Sequence, residues 1–238
     1  MNLIITSKDL GIFSFLNSFK YSSIDNISMF FYGDDRYRFK AASRRLKKLY
    51  DNKLLNRNRC FKGGQFIYWL SNSSIEYLKQ NGIKTYNCIR EITIERWNHD
   101  ELVQKVLLGF TNMGFTRYFS DRQLLSNPKI SISIVPDLGI YINDDYLLAV
   151  EIEIHQKSTN RIQKKLTILN RTKLFDGVLY ITKNNAISEK VISCYKSLTA
   201  PSFYLITVDM QIFISEPARV FSHLNEISKA KNKGRKDE

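Results

Sequence analysis

The apolar pattern of this chain changes period partway along, and that change constrains the fold more than any other feature. In the first eighty residues apolar side chains recur three and four apart, at Leu10, Phe13, Leu16 and Phe19, then Ile24, Ile27 and Phe30, then Phe39, Ala42, Leu46 and Leu49. That spacing is helical. Beyond Asn98 short apolar runs of strand length alternate with helical stretches, which is the order of an α/β layer structure. Two domains of different class are therefore expected within 238 residues.

In the first domain Thr6 or Ser7 caps one helix, Ser22 or Ser23 a second that ends at Gly33, and Asp34 or Asp35 a third running to about Asn52. Lys53 to Lys62 reads as a strand, Gly63 and Gly64 as a turn, and Gln65 to Leu70 as the returning strand. Ser73 to Asn81 closes the domain as a fourth helix. Three helices and a hairpin make a winged helix-turn-helix over residues 1–82, followed by a linker over 83–96. On the third helix Phe39, Ala42, Leu46, Leu49 and Tyr50 form the buried face. Lys40, Arg44, Lys47 and Lys48 share another face, with Arg36 one turn earlier, while Arg57, Arg59 and Lys62 lie near the hairpin tip. Between Arg36 and Lys62 the one acid is Asp51. Like charges at helical spacing oppose the helix, so their concentration points to a polyanionic partner. The whole chain agrees, with 36 Lys and Arg against 23 Asp and Glu, a net charge of +13. Double-stranded DNA fits this face best; a protein-docking winged helix is the plainer alternative.

The second domain, expected over 97–228, opens with a helix from Asn98 or His99. Strands follow near Ile130 to Val135, Leu138 to Ile142 and Tyr146 to Ile154, the last two joined by the turn Asn143-Asp144-Asp145. Then come helix 158–170, strand 177–182, helix 186–198 and strand 203–208, and a basic tail over 229–238. Three cysteines, widely spaced, exclude a disulfide scaffold and fit a reducing cytoplasm, and no apolar run is long enough to span a bilayer.

Glu151 and Glu153 alternate with Val150, Ile152 and Ile154, so both carboxylates point to one side of their strand. Asp137, after Pro136, can meet them across the hairpin. Three acids held together in an apolar sheet call for a hard cation, Mg²⁺ or Mn²⁺, which can promote phosphodiester cleavage. The plainer reading is an acidic sheet face paired with Lys157, Arg161 and Lys164.

Pro136-Asp137, Glu151-Ile152-Glu153 and the basic helix from Lys157 resemble the PD-(D/E)xK nucleases, with Glu153 where lysine is usual. Joined to the upstream winged helix, the helix His99-Asp100-Glu101-Leu102 and the segment Ser120-Asp121-Arg122, the chain resembles the replication-relaxation family and its MobC-type conjugative relaxases. That resemblance implies a restriction-endonuclease-like mixed-sheet domain and a metal-dependent relaxase. The enzyme would nick one strand at a plasmid transfer origin, with single-stranded product, accessory relaxosome proteins and a coupling protein as partners. It implies that Asp137, Glu151 and Glu153 hold the metal, with Glu101 and His99 as further candidates, and Lys157 and Arg161 near the substrate phosphate. His99, in register with Leu102, Val103 and Val106, reads first as a capping or core residue and second as a neighbour of the metal. A non-catalytic regulator of plasmid replication or transfer with a degenerate nuclease fold is the leading alternative, and an adaptor that recruits a coupling factor is the third.

Overall fold

The computed structural model describes residues 3–33, 36–59, 65–86, 93–127 and 134–234. It is a mixed α and β protein of ten helices and eight strands among those residues, with a three-stranded and a five-stranded sheet. The chain divides into two compact units, Met1–Leu108 and Gly109–Glu238.

In the first unit α1 (Ser7–Phe19) begins at a reciprocal cap: the Asp9 amide donates to the Thr6 hydroxyl and the Thr6 amide to the Asp9 carboxylate. β1 (Ser22–Ser23) leads into α2 (Ile24–Tyr32), capped by Ser23, and then α3 (Arg38–Asp51). The cap expected for α3 differs. Its N-cap is Tyr37, without a side-chain hydrogen bond, and Asp34 and Asp35 lie outside the described residues. β2 (Leu55–Arg59) and β3 (Phe66–Leu70) pair antiparallel, β1 adds to the far edge of β3, and α4 (Asn72–Gln80) follows. The hairpin tip, with Lys62, falls outside the described residues. Ile12, Phe13, Leu16, Ile27, Ala42, Leu46, Leu49, Leu55 and Tyr68 fill the core.

Two residues assigned to the buried face of α3 are not buried: Phe39 is 46% exposed and Tyr50 38%. The buried stripe runs through Ala42, Leu46 and Leu49 alone, and positions 39 and 50 lie on its flank. The unit also extends further than expected. α5 (Ile94–Asn112) starts before Asn98, and its first half belongs here. Trp97 packs on Tyr21, the Tyr21 hydroxyl donates to Asp100 at 2.6 Å, and Gln104 accepts from Ser22 and Asn26 while donating to the Tyr21 carbonyl. Buried polar groups must be matched in this way, so the division falls at Leu108 rather than near Arg96.

In the second unit the sheet order is β4-β5-β6-β7-β8. β4 (Tyr118–Ser120), β5 (Leu138–Asn143) and β6 (Tyr146–Glu153) are antiparallel; β7 (Gly177–Thr182) and β8 (Tyr204–Asp209) continue parallel to β6. The turn after β5 is held by Asn143, which accepts from the Asp145 amide at 3.0 Å. Parallel pairing then requires crossovers, supplied by α7 (Thr159–Thr172) and α8 (Asn185–Lys196). The strand expected near Ile130 to Val135 falls mostly on 130–133, which lie outside the described residues, and Ile134 and Val135 are in no strand. Its place beside β5 is taken by β4, with the short α6 (Asp121–Leu125) behind it. Leu147, Ala149, Val178 and Tyr180 pack with Ile162, Leu166, Leu169, Ile187 and Val191 of α7 and α8. α9 (Met210–Ser215) and α10 (Pro217–Gly234) complete the unit, where Phe110, Phe213 and Phe221 form an aromatic cluster. The expected tail is helical as far as Gly234.

Candidate functional site

β6 is buried along its whole length, and its alternation puts Leu147, Ala149, Glu151 and Glu153 on the face that meets α7 and α8. Antiparallel pairing of Leu138 with Val150 sets Asp137 opposite Glu151 across the hairpin. The Asp137 carboxylate accepts from the Ile152 amide at 2.8 Å, which ties the acid before β5 to the end of β6. Asp137 is near enough to Glu151 that its negative charge opposes ionisation of the Glu151 carboxyl. The meeting of these two acids expected from the sequence is therefore formed.

Glu151 is 2% exposed and Glu153 5%. Burial, with the negative charge of Asp137 behind it, pushes the Glu151 carboxyl up to about 7, against the opposing pull of Lys165 and Lys157. Lys165, from the middle of α7, donates to Glu151 Oε2 and is itself largely buried. Desolvation works against the Lys165 ammonium, but Glu151, Asp137 and Glu153 overcome it and hold the amine charged beyond its ordinary range. Glu151 Oε1 is buried without a hydrogen-bond partner among the described residues. Glu153 is held differently, by Lys157 Nζ at 2.5 Å. Tyr180, beside Glu151 in the register of β7, is buried, and desolvation with three nearby carboxylates raises its hydroxyl far above the usual value. A phenol so held is a poor nucleophile.

Among the described residues no three His, Cys, Asp or Glu side chains are grouped to hold a metal ion. The three-carboxylate site therefore narrows to Asp137 and Glu151, with Glu153 engaged by lysine. Mg²⁺ needs only one or two protein carboxylates when water and a substrate phosphate complete its shell. The orphaned Oε1 of Glu151 fits such a donor set, and a site built wholly from protein ligands does not fit. His99 and Glu101 belong to the first unit, where His99 Nδ1 stands 3.5 Å from Asp100 and Glu101 pairs with Lys105 at 3.3 Å.

Lys165 is the residue whose position the sequence reading missed. Its i,i+4 spacing from Arg161 marks it in the sequence as one more solvent-facing cation. It also stands three after Ile162 and four before Leu169, both buried, and that register was the available signal. Arg161 is exposed.

In the first unit Lys40, Arg44, Lys47 and Lys48 are exposed on the side of α3 away from Ala42, Leu46 and Leu49, and Arg36, exposed just before the N-cap, has its guanidinium 4.6 Å from the Tyr37 ring. Lys47 pairs with Asp51 at 2.6 Å, so the single acid of this stretch offsets one cation. Arg57 is fixed by stacking, its guanidinium 4.1 Å from the Tyr50 ring and 4.4 Å from that of Phe66, and Arg59 is exposed nearby. Arg45 turns inward instead and pairs with the buried Asp9. The cationic face thus sits on a helix anchored through its opposite side.

No known family model matches this chain, and no curated protein or solved structure shows similarity to it.

Proposed function

We propose that the protein is a DNA-nicking endonuclease that depends on Mg²⁺ or Mn²⁺, in which a winged-helix unit docks on duplex DNA and the five-stranded unit cuts one strand. The observation that carries this reading is the convergence of Asp137, Glu151 and Lys165 at the β5–β6 hairpin. The order of elements supports it: helix, three antiparallel strands with one short helix after the first, crossover helix and parallel strand are the sequence α5, β4, α6, β5, β6, α7, β7. This resembles the restriction-endonuclease-like arrangement, and Lys165 supplies from α7 the amine absent at position 153.

Each residue has a role that follows from its surroundings. Asp137 and Glu151 would hold the cation, whose chemistry is to polarise the scissile phosphate and favour deprotonation of an attacking water. Lys165, kept charged by three carboxylates, offsets negative charge as it accumulates on the phosphate. Lys157 pairs with Glu153 and offsets its charge. Arg36, Lys40, Arg44 and Lys48 supply phosphate contacts that position the duplex. A plasmid transfer origin is the substrate that the relaxase resemblance suggests.

A supercoiled plasmid carrying the gene's flanking DNA tests this directly, incubated with Mg²⁺, Mn²⁺ or EDTA and with native protein, Asp137→Ala or Lys165→Ala. Nicked circles that require metal, Asp137 and Lys165 are expected. Specific binding without nicking under any metal would instead support a non-catalytic regulator. The observation that favours this second reading is that Glu151 and Glu153 are buried and each already neutralised by a lysine.

A further inference from the structure

Four aromatic side chains are substantially exposed among the described residues, and three of them, Tyr37, Phe39 and Tyr50, lie on α3 or at its N-cap. Single exposed apolar side chains need no explanation, but a concentration on the most cationic element does. Tyr50 lines an open groove of about 840 Å³ between the end of α3, the β2–β3 hairpin and the start of α4. Trp69 forms a second aromatic wall; Lys53, Asn56 and Asn72 supply polar groups. Trp69 is only half-buried, on the central strand of its sheet, opposite Asn56. Asn56 is anchored by donating to the Leu70 carbonyl at 3.2 Å. Asp51 also lines the groove, but its carboxylate is engaged by Lys47.

An open, polar-lined groove cannot desolvate an apolar ligand, and its indole and phenol walls suit a flat, hydrogen-bonding one. Nucleobases combine a π face with a polar edge, and side-chain amides are their usual readers. Within a duplex both base faces are occupied by stacking, so an unpaired base alone presents them. Lys53, which leaves α3 with φ of 60°, brings a cation to the same groove for the accompanying phosphate. We infer that this groove binds an unpaired nucleotide, so that the first unit holds a locally opened DNA strand beside the duplex that its cationic face contacts. The inference rests on the DNA-docking reading of α3 and adds a substrate class to it.

The test uses the full chain and tryptophan emission. The protein has two tryptophans, and Trp97 is 5% exposed, so base stacking in the groove quenches Trp69. The probes are a single-stranded oligonucleotide, the same sequence as a duplex, and a duplex with a central unpaired bubble. Quenching is expected with the single strand and the bubble but not the duplex, and Trp69→Phe should abolish it while binding, followed by anisotropy of labelled DNA, persists. Trp69→Ala should weaken single-strand binding about tenfold, the scale of one lost base stack, and leave duplex binding within about twofold. Equal quenching by duplex, quenching that survives Trp69→Phe, or equal weakening of both DNA forms would overturn the inference. Duplex binding that depends on Arg44 with no single-strand binding overturns it while sparing the docking reading. If no DNA form binds, both fall.

Discussion

Asp9 has no apparent function in DNA chemistry, yet it governs how the cationic helix is held. It is fully buried. Burial alone would raise its carboxyl, but hydrogen bonds from Arg45 and Thr6 outweigh that and hold it below the ordinary value. A depressed folded pKa contributes stability that is complete above the unfolded pKa, near 4, and is lost as pH falls through the lower folded value. Asp9→Ala is expected to cost about 2–3 kcal/mol at neutral pH, the range for hydrogen bonds to charged groups. In urea titrations its gap from the native protein should narrow toward pH 3. Lys165 poses the converse case, since removing it leaves Glu151 buried beside Asp137 without its cation. Lys165→Ala should therefore abolish nicking while gel-shift affinity stays within about twofold; nicking at the native rate would remove Lys165 from the site.

At the scale of elements, α3 and the β6–α7–β7 crossover carry the two halves of the proposal. α3 separates its tasks by face: Ala42, Leu46 and Leu49 pack, Arg45 reaches Asp9, and Lys40, Arg44 and Lys48 face solvent. Arg44→Ala should weaken duplex binding uniformly across sequences and lower the slope of log affinity against log salt by about one, the loss of one phosphate contact. Its melting temperature should not change. The crossover depends on a close approach at Gly177, where a Cβ would stand 2.5 Å from the Tyr146 hydroxyl and 3.0 Å from Leu148. Overpacking of this kind costs about 1–3 kcal/mol. Gly177→Ala should accordingly lower stability in urea titration, and a neutral result would mean that β6 and β7 can separate without penalty.

For the whole molecule, the proposal divides binding from cutting between two units of different class. Asp137→Ala or EDTA should abolish nicking of the supercoiled plasmid and leave gel-shift affinity for the same DNA unchanged, whereas Arg44→Ala should lower both together. If Asp137→Ala weakened binding as much as cutting, the division of labour would be wrong.

Much of the fold was legible because its signals are local. The caps at Thr6 and Ser23, the Asn143-Asp144-Asp145 turn and the run Gly177–Thr182 each act within a few residues, and α1, α2, β6 and β7 follow from them. So does the alternation that aims Glu151 and Glu153 to one side. Elements without such signals were not legible: β4 is a strand only because β5 lies beside it, and the first half of α5 joins the first unit through Gln104 and residues some eighty positions earlier. Phe39 and Tyr50 were assigned inward because periodicity ranks apolar residues without knowing how wide a stripe the neighbours can cover. The period change, the cationic helix and the carboxylates of β6 follow from the order of residues with no tertiary information. Which cation meets which acid depends on tertiary packing: Arg161 and Lys165 share a helical register on α7, and only its crossover packing turns Lys165 onto Glu151 and leaves Arg161 in solvent, while Lys157 reaches Glu153 from ahead of the helix.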